Sequence, residues 1–374
     1  MKTSPSISLM VVLMMFPQIV ETLYSPALPH IAKGFDVSVS IASQTLSVYF
    51  SAFALGVVVW GIVSDYLGRR KTMMLGLAVY GSAALGAMTT QTFEFLMVLR
   101  ALSAFGAAVG SVVTQTMLRD SFDRRSLSKV FTYMGMGIAI SPVVGMMSGG
   151  ILAQYGGYQA VFFVLSLLAV VLWLVCLFQL PETMPIERRP TTSVLVLAKT
   201  LFSDVHIWRN ALLVAGFNIL LFSYYLKGPF IFAQLGLDSQ AFGYSGVVLA
   251  LGTLVGSMLN KQLINRDMTP SALIRIAACF SLVGAIGVNS LEGSLWFLLP
   301  MLLVVIGFGI GIPNILSHAL VDYKDQVGSA GALFGMLYYL LIGAGLALAA
   351  ATPSLGWVVI ISALLITIIG WKSN

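Results

Sequence analysis

Charge is scarce in this sequence: 9% of its 374 residues are Asp, Glu, Lys or Arg, against 58% apolar. A soluble domain carries roughly 25% charged residues, because water must wet its surface. A chain of this length cannot fold so much apolar surface away from water. A soluble globule is excluded, and lipid is the solvent. Unpaired backbone groups are too costly in hydrocarbon for anything but helices or a closed barrel to cross it. The apolar runs are about 20 residues long, which suits helices; barrel strands would alternate over about 10.

Cysteine is rare too. Cys176 and Cys279 both lie inside apolar runs, so no disulfide framework is expected. His30, His206 and His318 are scattered, with no HxxxH or CxxC spacing, and neither a metal site nor a cofactor is expected. An enzyme would need a nucleophile with its base, or paired carboxylates, and the apolar segments supply neither. A channel would need charge rings or filter repeats, which are also missing. The first apolar run, from Ile7, has no small-residue cleavage site and is expected to stay as the first helix.

What is present is a series of long apolar runs bounded by charge and turn clusters. They predict twelve spans, at 7–31, 41–63, 72–90, 93–117, 128–153, 159–179, 208–234, 241–260, 271–290, 294–318, 327–350 and 354–371. The longest gap, 180–207, contains PETMPIERRP. The expected architecture is therefore an all-α integral membrane protein with a six-helix bundle at 1–180, a cytoplasmic linker at 181–207 and a second six-helix bundle at 208–374. Within the linker, Val194 to Phe202 is expected to lie on the membrane surface as an amphipathic helix. With both termini in the cytoplasm, every Lys and Arg except Lys33, Arg100 and Lys227 falls on the inner side, as positive-inside topology requires. The net charge of +6 then answers anionic lipid headgroups and needs no nucleic-acid partner.

Between the second and third spans the chain reads GIVSDYLGRRK, Gly61 to Lys71. Gly61 permits close helix approach, Gly68 permits a turn at positive φ, and Asp65 sits where Arg69 and Arg70 can bond it. This spacing resembles the G-x-x-x-D-x-x-G-R-R/K loop of the major facilitator superfamily, which implies a gating role for Asp65, Arg69 and Arg70. RALSAFG in the fourth span, from Arg100 to Gly106, and GIAISPVVGMMSGG in the fifth, with Gly137, Pro142 and Gly145, are similar to motifs of the family's proton-antiporter branch. Ser141 replaces a usual glycine there, and the glycines also suit plain helix packing. YSPALP (Tyr24 to Pro29), GGYQAVFF, KGPFIF and GSAGA extend the resemblance to the bicyclomycin-resistance subgroup along nearly the whole chain.

That resemblance implies a monomeric carrier in a bacterial inner membrane that exports small amphipathic molecules in exchange for protons by alternating access. The alternative is a dedicated exporter of one endogenous metabolite, such as a siderophore or nucleoside. Two departures bear on cargo identity: the acid before YSPALP is a glutamate one position further away than the subgroup's aspartate, and the seventh span carries a lysine.

Ionisable groups inside a span are costly and are functional candidates by default. Glu21, Arg100 and Lys227 lie at similar depth, roughly 10–15 Å from the outer ends of their spans at about 1.5 Å per residue. The superfamily's layout lets all three face one cavity. Glu21 is the candidate coupling acid; a structural ion pair with Arg100 or Lys227 is the other reading. Gln18, Tyr24, Phe217, Asn218 and Tyr224 are candidate cavity residues, as are Arg100 and Lys227. Aromatics mixed with a few polar groups suit amphipathic cargo of varied shape.

Overall fold

The computed structural model describes residues 5–122, 124–184 and 194–371; residues 185–193 of the expected linker lie outside the described residues. Among the described residues, ten helices are long and apolar enough to cross a membrane. One of them, Tyr133–Gln179, is 47 residues long, enough for two crossings. It breaks at Gly157, with φ 64° and ψ −165°, into spans 5 and 6. The shorter apolar helix Leu355–Trp371 completes the twelve expected spans. In chain order the others are span 1 (Ile7–Gly34), span 2 (Val39–Leu67), span 3 (Arg69–Thr89), span 4 (Phe93–Ser121), span 7 (Val205–Gln234), span 8 (Ser239–Ile264), span 9 (Pro270–Leu291), span 10 (Leu295–Tyr323), span 11 (Ser329–Ala351) and span 12 (Leu355–Trp371). The helix Val194–Ser203 stands where a surface helix was expected.

Local chemistry explains several ends. Ser38, Asp204, Asp238 and Thr269 each accept a backbone N–H from the first turn of spans 2, 7, 8 and 9, meeting donors that a helix start leaves unpaired. Span 1 passes through a 3-10 turn at Ser25–Ala27, where Pro26 contributes no N–H. Spans 2 and 3 are longer than expected. Charged residues ended the apolar counts at 63 and 72, but a helical backbone tolerates charge at its ends, and the connection shrinks to Gly68 alone.

Spans 1–6 pack together, as do spans 7–12, and the two sets meet mainly through spans 2 and 11 and spans 5 and 8. The face carrying the 2–3, 4–5, 6–7 and 8–9 connections is basic in sequence and is called the basic face below. Hydrogen bonds joining the halves lie toward the opposite face: Ser47 Oγ donates to Gly343 O at 3.1 Å, Gln44 to Ala347 O at 3.3 Å, and Ser25 Oγ to Tyr225 O at 2.5 Å. There the backbones nearly touch. A Cβ on Gly150 would lie 2.9 Å from Gly243 Cα, and one on Gly243 would lie 2.5 Å from Met146 O. Close approach through small residues is how helices associate where no water is squeezed out.

Candidate functional site

A cleft of about 340 Å³ lies between spans 2 and 4 of one half and span 11 of the other. Asp65, Arg119 and Asp120 stand at its mouth on the basic face, Ser111 and Gln115 line its wall, and Tyr338 and Tyr339 form its inner end. The halves are thus parted on the basic side and closed on the other.

Beyond the closed end sits Glu21, 2% exposed, with Arg100, 1% exposed. The Arg100 guanidinium lies between two rings, 3.7 Å from the Tyr24 centroid and 4.8 Å from that of Tyr49. Each ring is itself anchored. Tyr24 Oη donates to Thr45 Oγ1 at 2.8 Å, and Tyr49 Oη reaches Pro17 O at 3.4 Å. A desolvated cation over an aromatic face is held by about 2 kcal/mol or more, so the cage fixes Arg100 without a carboxylate. The ion pairs among the described residues are Arg69–Asp65 and Arg69–Asp120; Glu21 is not directly paired with Arg100 or Lys227. Glu21 Oε1, Arg100 Nε and Nη2, and Tyr80 Oη are all buried with no hydrogen-bond partner. Such unmet capacity is expensive in a static core and suits a place where a proton or polar ligand arrives and leaves.

The remaining sequence candidates divide. Gln18, one turn before Glu21, is half-buried on span 1. Lys227 stands apart: its Nζ donates to Thr352 O at 2.5 Å. Nearby Glu292 accepts the N–H groups of Leu355 at 2.7 Å and Gly356 at 3.0 Å, and the hydroxyl of Ser354 at 2.6 Å. Lys227 therefore braces the turn between spans 11 and 12 in this arrangement. Phe217 packs against Gly311, and Asn218 turns back to Val214 O at 2.7 Å. Tyr224 bonds Ser245 and contacts the rings of Phe242 and Phe297. Phe217 and Tyr224 are buried in the second half and Asn218 is half-buried; none of the three lines the cleft. Similar depth did not bring Lys227 to Glu21 and Arg100, because depth leaves the rotation of each helix open.

At the mouth, Gly68 has φ 91°, the positive value its motif requires. Arg69 Nη1 bonds Asp65 Oδ1 and the Ser64 carbonyl, each at 2.7 Å, while its Nε bonds Asp120 Oδ2 at 2.9 Å. Arg70 Nη2 donates to Leu177 O at 2.5 Å. Glu182, from PETMPIERR, accepts the backbone N–H groups of Arg69 at 2.9 Å and Arg70 at 3.2 Å, and so caps span 3. The motif thus ties spans 2, 3, 4 and 6 into one unit, with Gly61 on the cleft wall. Sequence reasoning missed Asp120 and Glu182. Their signal was an acid just past the expected ends of spans 4 and 6.

Asp65 is 60% exposed and Asp120 14%, which separates their effects. Asp65→Asn should leave thermal stability nearly unchanged, since exposed pairs contribute about 0–1 kcal/mol, yet impair transport. Asp120→Asn should lower the unfolding midpoint visibly, since hydrogen bonds to buried charge are worth about 1.5–3 kcal/mol. Melting curves beside flux assays check both, and equal destabilisation would contradict the assignment.

In span 5 the motif residues are contact points. A Cβ on Gly137 would meet Val11 and Met15, and one on Gly145 would meet Thr22, all of span 1. Pro142 lies inside the helix without ending it. Tyr49, Tyr80, Tyr338 and Tyr339 were not singled out in sequence, because tyrosine in a span is usually packing or an interface anchor.

Residues 10–346 match the sequence model described as the Major Facilitator Superfamily. An uncharacterized transporter of Rickettsia felis is 31% identical over 340 residues, covering 87% of this chain and 84% of that one. Multidrug resistance protein D of Escherichia coli is 26% identical over 358 residues, covering 93% and 89%. Among solved structures, a D-xylose-proton symporter superposes with a TM-score of 0.75 at 13% identity, covering 98% of this chain and 97% of that one. At that identity the likeness concerns the fold alone.

Proposed function

The chain belongs to the major facilitator superfamily, and from that premise we propose that it exports small amphipathic molecules in exchange for protons by alternating access. The observation that carries this reading is Glu21: a buried carboxyl beside a caged cation, at the closed end of a cleft that parts the halves. Burial favours a neutral carboxyl and a nearby cation favours an ionised one, so rearranging either moves a proton. A carrier whose two halves rock around such a site can exchange a proton for cargo.

The relatives support the export half. They include proteins named for multidrug and bicyclomycin resistance, and the cleft sets tyrosine rings at its inner end beside polar groups on its wall and mouth, a mixture that suits amphipathic cargo. The basic face is assigned to the cytoplasm of a bacterial inner membrane on its Lys and Arg content. The arrangement is then open inward and closed outward, with Lys227 locking the outer edge of the second half.

The test is a liposome assay with purified protein, an imposed pH gradient and ethidium as the first probe, beside a growth-inhibition panel in a deletion strain. The expected result is ethidium movement that follows the gradient and collapses with a protonophore. If no panel compound is transported while one metabolite disappears from the medium of the deletion strain, the protein is a dedicated metabolite exporter instead.

A further inference from the structure

We propose that the Tyr339 ring is the partition between the cleft and Glu21, and that a planar aromatic cargo acts on the buried carboxyl by displacing that ring. The proposal rests on the proton-exchange reading above and adds the residue through which cargo and acid communicate.

The position is defined by span 11 itself. Gly335, Tyr339 and Gly343 are four residues apart and share one helix face. At Gly335 an added Cβ would find nothing closer than 3.8 Å, whereas at Gly343 it would lie 3.1 Å from Ser51 N and 3.2 Å from Ser47 O. The gap between spans 2 and 11 therefore closes within two turns, and Tyr339 stands where it closes.

Its ring belongs to a layer that crosses the halves. Tyr339 lies 4.9 Å from Phe53, 6.4 Å from Phe50 and 4.5 Å from Tyr338, centroid to centroid. Phe50 continues the layer onto Phe222 of span 7 at 4.5 Å, stacked within 27°. Tyr338 and Tyr339 also line the cleft, so cargo entering from the basic face meets them at its inner end. On the far side, Phe53 stacks with Tyr49 at 6.0 Å, and Tyr49 is one wall of the Arg100 cage. Among the described residues, Arg100 of span 4, Tyr49 of span 2, Tyr225 of span 7 and Tyr339 of span 11 stand within electrostatic reach of Glu21.

Ring-on-ring contacts are individually weak and tolerant of geometry, so a flat aromatic cargo can take the place of Tyr339 against Phe53. A saturated or strongly hydrated cargo cannot. Displacing Tyr339 removes the apolar cover and brings cleft water toward Glu21, where the proton can leave. Cargo class and proton release are then linked by one side chain.

Two measurements on the full-length protein in nanodiscs test this. In the first, a water-soluble carbodiimide with glycinamide labels Glu21 from the aqueous side, read by mass spectrometry of the peptide carrying it. Tyr339→Leu and Tyr339→Ala should each label at least about tenfold faster than wild type, a change of about 1.4 kcal/mol in the cost of access. Tyr339→Phe, which keeps the ring, should label as slowly as wild type. Only variants with a wild-type unfolding midpoint are compared; the leucine variant covers the case in which alanine fails to fold.

In the second measurement, ethidium is added to weakly buffered protein and proton release is recorded. Wild type should release protons on binding. Tyr339→Leu should bind ethidium yet release at least about tenfold fewer. Wild-type labelling rates in the leucine variant, or fast labelling in Tyr339→Phe, would overturn the partition. Faster labelling with unchanged ethidium-driven release would overturn displacement by cargo. If wild type releases no protons, the underlying exchange reading fails, and the labelling arm still decides the partition.

Discussion

Glu21→Gln yields a protein that inserts and binds cargo but no longer accumulates it from a pH gradient, with coupled flux reduced by roughly 100-fold or more, the scale on which positioned proton transfer acts. Glutamine keeps the size and hydrogen-bonding capacity of the protonated acid and cannot ionise, so the carrier is held in one protonation state. Glu21 makes no direct ion pair among the described residues, so its neutralisation breaks no brace, and the unfolding midpoint should stay close to wild type. That combination separates coupling from structure. Glu21→Asp should keep partial activity, since a carboxylate remains near Arg100. Substrate-induced proton release from detergent-solubilised protein, beside vesicle flux, is the measurement. Native proton exchange in Glu21→Gln would move the coupling role to another acid. Asp65 and Asp120 at the cleft mouth are then the nearest in reach of water, and Asp322 at the end of span 10 is next. Glu292 is an unfavourable substitute, because its carboxylate is committed to capping span 12.

Arg100→Met has the opposite signature: the protein itself suffers. The guanidinium fills the space between Tyr24 and Tyr49 and is 1% exposed. Two desolvated ring contacts at about 2 kcal/mol each set the loss at roughly 4 kcal/mol, reduced by whatever methionine regains in packing. Arg100→Lys should restore only part of it. An ammonium on a flexible stem covers two ring faces less well than a planar, delocalised guanidinium. Thermal unfolding of the three proteins orders them wild type, lysine, methionine. Combining Arg100→Met with Glu21→Gln should destabilise less than the sum of the single changes, because the first substitution leaves Glu21 without its cation and the second removes that penalty. Full recovery by lysine would show that charge, not the ring cage, holds the position.

The GIVSDYLGRRK segment shows how far motif reasoning reaches. Gly68 takes the positive φ and Arg69 makes the bond to Asp65 that the spacing allowed, while Arg70 turns to Leu177 O instead; residues within two helical turns have contacts that local backbone geometry largely decides. Asp120 and Glu182 complete the same cluster from spans 4 and 6, and nothing local in the chain connects them to Gly68. Lys227 illustrates the converse. Its depth was legible, but its partner, the carbonyl of Thr352, is 125 residues away, and backbone acceptors leave no mark in a sequence.

By itself the sequence determined the solvent, the helical class, the twelve spans and the family, because each follows from composition, run length or short-range spacing, all of which are properties of neighbouring residues. Which charges meet was decided only by tertiary structure. Helix rotation is set by packing at close contacts such as Gly145 with Thr22 and Gly243 with Met146, and a rotation of one residue, about 100° at 3.6 residues per turn, turns a cavity residue into a packing one. So Glu21, Tyr24 and Arg100 came together while Phe217, Asn218, Tyr224 and Lys227 did not. The aromatic layer of Phe50, Phe53, Phe222 and Tyr339 draws on three spans from both halves, and it exists only once those halves close against each other.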